Sequence, residues 1–255
     1  PFVSSGAASK INNESKSIAL ACGSHSGSKL HSREAFKILW EYDIDINNLK
    51  CPKSKTSPLE HNCSGKHAAF LATCKKMNWP LDSYLKGDHP LQIEIFRIVS
   101  ELLEIPSSEI NAERDDCGAP TLYLKLLEMS RLYSLLSSSE NAELEQISRA
   151  MAINPIMISD NNKFDTEIIK ASHGNVIGKG GAEGIQCLCK VNEGIGLALK
   201  VEDGSKRAKH AVSLHLLKQL EWISDLRIQD IEEKVFNFPE GVRLEVKGKV
   251  KFQES

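Results

Sequence analysis

Residues 175–201 read NVIGKGGAEGIQCLCKVNEGIGLALKV, and this stretch decides the fold class because the hydrophobic pattern changes here from helical to extended. The apolar segments 184–191 and 195–201 are separated by Asn192-Glu193-Gly194, an arrangement typical of a β-hairpin. The glycine-rich segment 175–181 leads directly into the first of them. We therefore predict antiparallel strands in this part of the chain.

Outward from this stretch, apolar residues mostly recur at helical spacing. Pro90 occupies a position that suits the first turn of a helix, and Ser32 can cap a helix that follows it. The predicted helices cover the residues after Ser32, a helix that starts at Pro90, and the segments 64–78, 121–136, 142–152, 164–171 and 206–224.

Two further strands are predicted away from the hairpin. The short apolar run Ile18-Ala19-Leu20-Ala21-Cys22 ends in a small polar cluster and suggests a buried strand. Residues 242–252 alternate in character and suggest a last strand. Helices in the middle of the chain and strands from distant parts indicate a mixed α/β (α+β) fold, in which an antiparallel sheet is flanked by helices with a helical sub-region. No linker divides the chain, so we expect one domain over residues 1–255.

The composition excludes several classes of protein. Of 255 residues, 41% are hydrophobic and 26% are charged, which is ordinary for a globular protein. A net charge of -2 gives no reason to expect a nucleic acid or a membrane as partner. Neither a long apolar run nor a secretory signal is visible. The seven cysteines are scattered and odd in number, which favours reduced thiols in a cytoplasmic protein.

Four loops concentrate the residue types that carry chemistry, and each lies at the end of a predicted element, where functional groups are usually displayed. Ser24, on the first of these loops, could be a nucleophile or a relay for protons if a base lies nearby. It could equally be an ordinary turn serine, and His25 beside it could be structural. The four loops are residues 22–27, 61–67, 115–120 and 173–184.

The second loop contains Gly65-Lys66, but a phosphate-binding loop is excluded because Glu60 stands where that motif needs a glycine. At a helix start, the pKa of Lys66 would be lowered, so that its amine could act as a base or a ligand. A surface lysine is the alternative. Cys63 and Cys117 lie in polar turns and could hold zinc with a third ligand, although their spacing alone is a weak signal.

The fourth loop contains Gly178-Lys179-Gly180-Gly181. A dinucleotide site is excluded because strands flank the glycines on both sides and no helix follows. Glycines around a lysine on a strand would let a substrate approach the backbone closely. Serine acyl hydrolases related to the penicillin-recognising enzymes use a comparable Lys-x-Gly strand.

Taken together and in this order, the four loops resemble the L-asparaginase II family. The resemblance covers essentially the whole chain, and the string Cys63-Ser64-Gly65-Lys66-His67 is its most specific part. It implies a β-lactamase/glutaminase-like fold, a homodimer, and hydrolysis of L-asparagine to L-aspartate and ammonia through Ser/Lys acyl-enzyme chemistry. The matching strings are CGSHSG (22–27), NCSGKH (62–67), DDCGAP (115–120) and GKGGAEG (178–184).

The resemblance also implies roles for single residues. Ser24 and Lys179 would form a catalytic Ser/Lys pair. His25 and Asp115 would contact the substrate, and the Asp115 carboxylate would hold its ammonium group or orient the metal ligands. The residues after Lys179, Gly180 and Gly181, would offer backbone N–H groups to the oxyanion.

A zinc site is implied beside the active centre, held by Cys63, Lys66 and Cys117. By the same resemblance, Zn²⁺ would shape substrate binding rather than activate water, and no organic cofactor is expected.

Two departures from the family pattern limit this interpretation. The family carries Arg-Ser-x-x-Lys-Pro before its first helix, and Pro1 resembles the proline of that motif. We therefore expect a truncated domain that lacks its N-terminal strand and its Ser-x-x-Lys segment, which would carry a second Ser/Lys pair with the nucleophile, and that is inactive in this form. Ser28-Lys29 also stands where relatives often have an acidic residue, which leaves the substrate preference open.

Two alternative functions are retained. The first is a non-catalytic descendant that binds small amides or zinc. The second is a serine acyl hydrolase of the β-lactamase or transpeptidase type, which would need an exported protein and a Lys-Thr-Gly-like strand, whereas this chain has Lys179-Gly180-Gly181 and no visible export signal.

Overall fold

The computed structural model describes residues 1–54, 56–236 and 244–250. Its α-helices are α1 (Glu14–Cys22), α2 (Lys29–Glu41), α3 (Ser64–Met77), α4 (Pro90–Leu103), α5 (Leu126–Ser137), α6 (Ala142–Ile153), α7 (Pro155–Ile158), α8 (Phe164–Ala171), α9 (Lys206–Gln219) and α10 (Asp225–Val235). Short 3-10 turns lie at Ala8–Lys10, Ile46–Asn48, Pro58–Glu60 and Ser107–Glu109.

The strands form two antiparallel sheets in the described part of the chain. A small hairpin pairs β1 (Ala112–Arg114) with β2 (Pro120–Leu122). The larger sheet has the order β3-β4-β5, with β3 at Val176–Gly180, β4 at Ile185–Lys190 and β5 at Ile195–Lys200. This arrangement confirms the predicted hairpin and the predicted mixed α/β fold. The likeness to β-lactamases stays a prediction, as does the single domain over residues 1–255.

The larger sheet is buried on both faces because its alternate side chains enter two different hydrophobic clusters. Ile177 and Cys189, which are cross-strand partners, belong to the cluster formed mainly with α1, α2 and α3. Val176 and Leu188 belong to a second cluster with α8, α9 and α10. The sheet therefore holds the candidate lysine of β3 between the two halves of the hydrophobic interior.

The prediction of a strand at residues 18–22 is wrong, because these residues form the end of helix α1. Ile18, Ala19 and Leu20 are all fully buried, since α1 packs against α2, α3 and α6. A helix buried on all sides has no polar face, so a short apolar run cannot be distinguished from a strand by periodicity. The alanines and the leucine, which are strong helix formers, were the available signal.

Several predicted boundaries also need correction. Helix α2 begins at Lys29 with Ser28 as its N-cap, and the Ser32 hydroxyl donates to the Leu59 carbonyl at 3.2 Å instead. The helix predicted at 121–136 begins only at Leu126, because the residues before it pair in the β1–β2 hairpin.

Two predicted elements near the C-terminus also need correction. The helix predicted at 206–224 ends at Gln219, because the chain turns at Glu221 with φ 57° before α10, which was not predicted. Of the strand predicted at 242–252, residues 244–250 are described and contain no strand, and the others lie outside the described residues.

Candidate functional site

Ser24 lies on the loop that follows α1. Its backbone N–H donates to the Ile158 carbonyl at 3.0 Å, which anchors the loop to the end of α7. Its hydroxyl accepts a hydrogen bond from Asn62 Nδ2 at 3.0 Å and remains exposed to solvent. Asn62, on the second of the four loops, therefore holds the hydroxyl of Ser24 on the first.

His25 points the other way, into the interior, and is 2% exposed. Its Nδ1 accepts from the Gly27 N–H at 3.1 Å, and its Nε2 lies 3.4 Å from Ser64 Oγ. The ring stacks on His31 at a centroid distance of 4.6 Å. Burial is the main cause that lowers the pKa of His25 to about 3. Both ring nitrogens are engaged within the protein, which gives His25 a structural role, and the expected substrate contact stays a prediction.

The Ser24 loop is also tied to the segment between α7 and α8. The Ser26 hydroxyl donates to the Asp160 carboxylate, and the Ser26 N–H donates to the Ser159 carbonyl at 3.0 Å. Burial alone would raise the pKa of Asp160, but the Ser26 hydrogen bond and the Asn161 N–H lower it overall. The sequence did not single out Asp160.

The expected metal ligands converge at the start of α3. Cys63 precedes the helix, and Cys117 lies in the β1–β2 turn. The ligand atoms of Cys63, Asp115 and Cys117 all lie within 4.8 Å of one another. Lys66 Nζ lies 3.6 Å from Asp115 Oδ2. The structure therefore brings the second and third loops together and adds Asp115 to the expected ligand group.

The two thiols of this group share a proton unequally. The interaction between the two sulfurs raises the pKa of Cys63 and lowers the pKa of Cys117, and Cys117 Sγ also lies 3.6 Å from Asp115 Oδ2. The His67 ring also stabilises the Cys117 thiolate. His67 Nδ1 is paired with the Tyr84 hydroxyl at 2.7 Å, and its buried Nε2 has no oxygen or nitrogen partner in the described part of the chain. A supporting role for His67 was missed, although it lies in the most specific motif.

The prediction that Lys66 has a lowered pKa is wrong. Burial does lower it, but the sulfurs of Cys63 and Cys117 and the Asp115 carboxylate favour the ammonium form and outweigh burial, so the pKa of Lys66 is raised. Lys66 is therefore a cation that balances the negative charges of the cluster.

The donors of this cluster fit zinc. Two thiols are the soft ligands that Zn²⁺ prefers, and a carboxylate or a nitrogen can complete a tetrahedral set. One of the thiols already favours its deprotonated form, which is the form that binds metal.

Lys179 lies on β3, half-buried, opposite Cys187 on β4. Its amine donates to the Gly180 carbonyl. The Lys179 charge acts on the thiols of Cys22 and Cys187, in which burial raises the pKa to about 11 and the lysine partly opposes it. Because Cys22 lies two residues before Ser24, this interaction brings the fourth loop to the first.

The expected oxyanion donors are already engaged. The Gly180 N–H donates to Asp165 Oδ2 at 2.9 Å, and the Gly181 N–H donates to the Ile185 carbonyl at 2.9 Å. A donor that points at a protein acceptor cannot also stabilise a developing oxyanion. In this structure the two glycines hold the turn, and their oxyanion role stays a prediction that would require these N–H groups to leave their present acceptors.

Comparison with protein-family models decides the family. The model of the family described as L-asparaginase II matches residues 1–252 of the chain. The chain belongs to the L-asparaginase II family. No individual curated protein matches it significantly. The match confirms the predicted family and gives the predicted truncation no support.

Membership of the L-asparaginase II family makes the protein an asparaginase-type amidohydrolase in general terms, with a small molecule as its substrate. Among the described residues, every helix is too short or too polar to cross a lipid bilayer.

A cavity of about 530 Å³ opens beside the L-asparaginase II motifs. Its walls are mostly apolar and come from the N-terminal residues and from α1, α3, α4 and α6, and both Cys22 and Lys66 line it. Of Ser24, Lys66, Cys117 and Lys179, only Lys66 lines this cavity in the described part of the chain. Direct contacts between side chains join the first loop to the second and the second to the third, whereas the fourth loop acts on the first only through the charge of Lys179 at Cys22.

Proposed function

We propose that this protein hydrolyses the side-chain amide of L-asparagine to give L-aspartate and ammonia, with Ser24 and Lys179 as a Ser/Lys pair. The observation that carries the proposal is that two consecutive residues, Asn62 and Cys63, contact the two parts of the candidate site. Asn62 binds the Ser24 hydroxyl, and Cys63 belongs to the cluster with Asp115 and Cys117. A reactive hydroxyl and a charged group suited to binding an amino acid thus meet at one place.

The chemistry is acyl transfer to a serine followed by hydrolysis. A neutral lysine amine takes the serine proton, the alkoxide attacks the amide carbon, and the C–N bond breaks as ammonia leaves with a proton. Water then attacks the resulting ester and releases aspartate. For Lys179 to take part, its amine must turn from the Gly180 carbonyl towards Ser24, a change that its flexible side chain permits.

Asp115 is suited to hold the ammonium group of the substrate. Its carboxylate is exposed, with 41% of the side-chain surface accessible, and its ion pair with Lys66 at 3.6 Å is long enough to be exchanged for a ligand. Zn²⁺ would be held by Cys63 and Cys117, and Lys66 would join them as a third ligand only after its ammonium group loses a proton. When bound, the metal would supply positive charge for substrate binding.

The test is ammonia release from L-asparagine by the protein of this sequence, measured in a coupled enzymatic assay. Lys179→Ala should lower kcat at least about 100-fold, because a positioned base contributes that much or more. Lys200→Ala is the matched control, since Lys200 is exposed on β5 of the same sheet. Ser24→Ala should show a loss comparable to that of Lys179→Ala.

Two results would count against the proposal. One is a folded parent protein that releases no ammonia from L-asparagine. The other is near-parental turnover by Lys179→Ala. Assembly as a homodimer and a cytoplasmic location are further parts of the proposal, and sedimentation of the same preparation would test the first of them.

A further inference from the structure

Three buried polar residues lie behind the strand that carries Lys179, and the proposed reaction does not use them directly. Asp165 comes from α8, Gln186 from β4 and Lys209 from α9. They are 8%, 0% and 5% exposed, so none can meet a substrate. Buried polar groups are costly unless they are hydrogen-bonded, so their partners indicate their role.

Asp165 binds the backbone immediately after Lys179. One carboxylate oxygen accepts from the Gly180 N–H and the other from Gln186 Nε2, both at 2.9 Å. Strand β3 is an edge strand in the described sheet, where unpaired N–H groups need other acceptors. Asp165 supplies that acceptor at the residue that follows the candidate lysine.

Lys209 holds the turn that comes next. Its amine donates to the carbonyls of Gly181 and Ile185, both at 3.1 Å. The pKa of Lys209 is lowered, mainly by burial, while the charge of Asp165 opposes that change. Three consecutive residues, 179 to 181, therefore each have a polar group bonded within the protein, since the Lys179 amine itself donates to the Gly180 carbonyl.

The same network explains why residue 180 is glycine. A Cβ atom there would lie 2.8 Å from Lys209 Nζ, 3.1 Å from Gln186 Oε1 and 3.4 Å from Asp165 Oδ2. The first two distances are closer than side chains normally pack. The glycine therefore makes room for a buried polar network, whereas the sequence suggested room for a substrate.

We propose that Asp165 is a positioning residue for Lys179, which acts by holding the Gly180 N–H while Lys209 holds the carbonyls of the adjoining turn. This inference rests on the proposed function, in which the Lys179 amine must reach a serine hydroxyl. Proton transfer requires the two heavy atoms at hydrogen-bond distance, and a displacement of about 1 Å can cost about 100-fold in rate.

The experiment compares Asp165→Asn with Glu167→Gln in the full chain. The introduced amide carries no charge and keeps only one acceptor oxygen, so it binds the Gly180 N–H more weakly than the carboxylate does. Glu167 is the matched control because it is a buried carboxylate on the same helix, but it binds Lys170 and Lys234 instead. The readouts are kcat and KM for L-asparagine and hydrogen exchange of the amides at Gly180 and Gly181.

Asp165→Asn should lower kcat about 10- to 100-fold with little change in KM, and should speed amide exchange at Gly180 at least about tenfold, because the N–H loses its acceptor. Glu167→Gln should change neither. If Asp165→Asn does not fold, Lys209→Met replaces it, with the exposed Lys206→Met as its control, and faster exchange at Gly181 is expected.

A folded Asp165→Asn protein with parental exchange at Gly180, or with parental kcat, would overturn the inference. The same holds for Lys209→Met if it takes the place of that variant and leaves exchange at Gly181 unchanged. A parent protein without activity on L-asparagine would overturn the proposed function alone. In that case the exchange rates still decide whether Asp165 holds the segment that carries Lys179.

Discussion

The candidate site has two sides that differ in how their charges are satisfied. The loop side consists of residues 23–27, 61–66 and 115–119, and the strand side consists of residues 179–186 with Asp165 and Lys209. On the loop side, the side chains of Lys66 and Asp115 are 28% and 41% accessible. On the strand side, Asp165 and Lys209 are 8% and 5% exposed and bind backbone groups.

This difference distinguishes charges that can bind a ligand from charges that hold the structure in place. Charges that face each other at a solvent-accessible place can exchange their partners for a ligand at little cost. Charges buried against backbone groups cannot, because losing one partner leaves the other unpaired in a poorly solvated environment. Apart from Ser24 and Lys179, which the proposed reaction uses directly, we therefore expect substitutions of the charged residues on the loop side to change binding. Substitutions of the charged residues on the strand side should change geometry.

The largest effect on the loop side should come from Gly27→Ala. Gly27 has φ +66°, and a Cβ there would lie 1.8 Å from the Glu60 carbonyl oxygen. Backbone strain and the clash together should lower the free energy of unfolding by about 3 kcal/mol or more. Equilibrium unfolding in urea measures this change in the free energy of unfolding.

Gly6→Ala is the control, because Gly6 has φ +71° but open space around it. The free energy of unfolding of Gly6→Ala should fall only by the backbone strain, about 1–2 kcal/mol. Equal losses in the two variants would mean that the close approach of Gly27 to residue 60 does not hold the loop side together.

Cys117→Ser should weaken zinc binding more than about 100-fold, because removing a direct ligand should exceed the loss seen when only a supporting residue is removed. Competition with a chromophoric chelator measures the affinity. Cys74→Ala is the control, since Cys74 is buried in α3 away from the cluster. A parent protein that binds about one zinc per chain is expected, and unchanged affinity in Cys117→Ser would remove the metal site from the loop side.

His25 should make the protein less stable as the pH falls. Its pKa is about 3 in the folded state and about 6.5 when unfolded, so the unfolded chain takes up the proton first. The stability due to neutral His25 is full above about pH 6.5 and is lost below it, by at most about 2 kcal/mol at pH 5.

The measurement is the free energy of unfolding against pH for the parent and His25→Gln. The variant should lose that part of the slope, about 1.4 kcal/mol per pH unit. A parental slope in His25→Gln would show that this ring does not remain neutral in the folded protein.

The smallest effect is expected from Ser26→Ala, which removes one exposed hydrogen bond to Asp160. The free energy of unfolding should fall by about 0.5–1 kcal/mol. The pKa of Asp160 should rise, because the Ser26 hydroxyl helps to lower it. NMR titration detects that change, and the exposed Ser4→Ala is the control. An unchanged pKa of Asp160 in Ser26→Ala would show that Ser26 does not hold the loop.

Local signals were sufficient for much of the fold. The hairpin around Asn192-Glu193-Gly194 and helix α8 (Phe164–Ala171) agree with the prediction, because turn residues and helical spacing act between near neighbours. Helix α1 was mistaken for a strand because burial on all sides removes the polar face that distinguishes a helix. The β1–β2 hairpin was missed because its three-residue strands are too short to show a period.

The sequence by itself determined the family and the four loops that carry its motifs, since those depend only on which residues occur in which order. Tertiary structure alone decided that Cys63 meets Cys117, that His25 points inward and that the Gly180 N–H belongs to Asp165. Each of these contacts joins elements distant in the chain. Their distances follow from how helices pack on the sheet, and no local pattern contains that information.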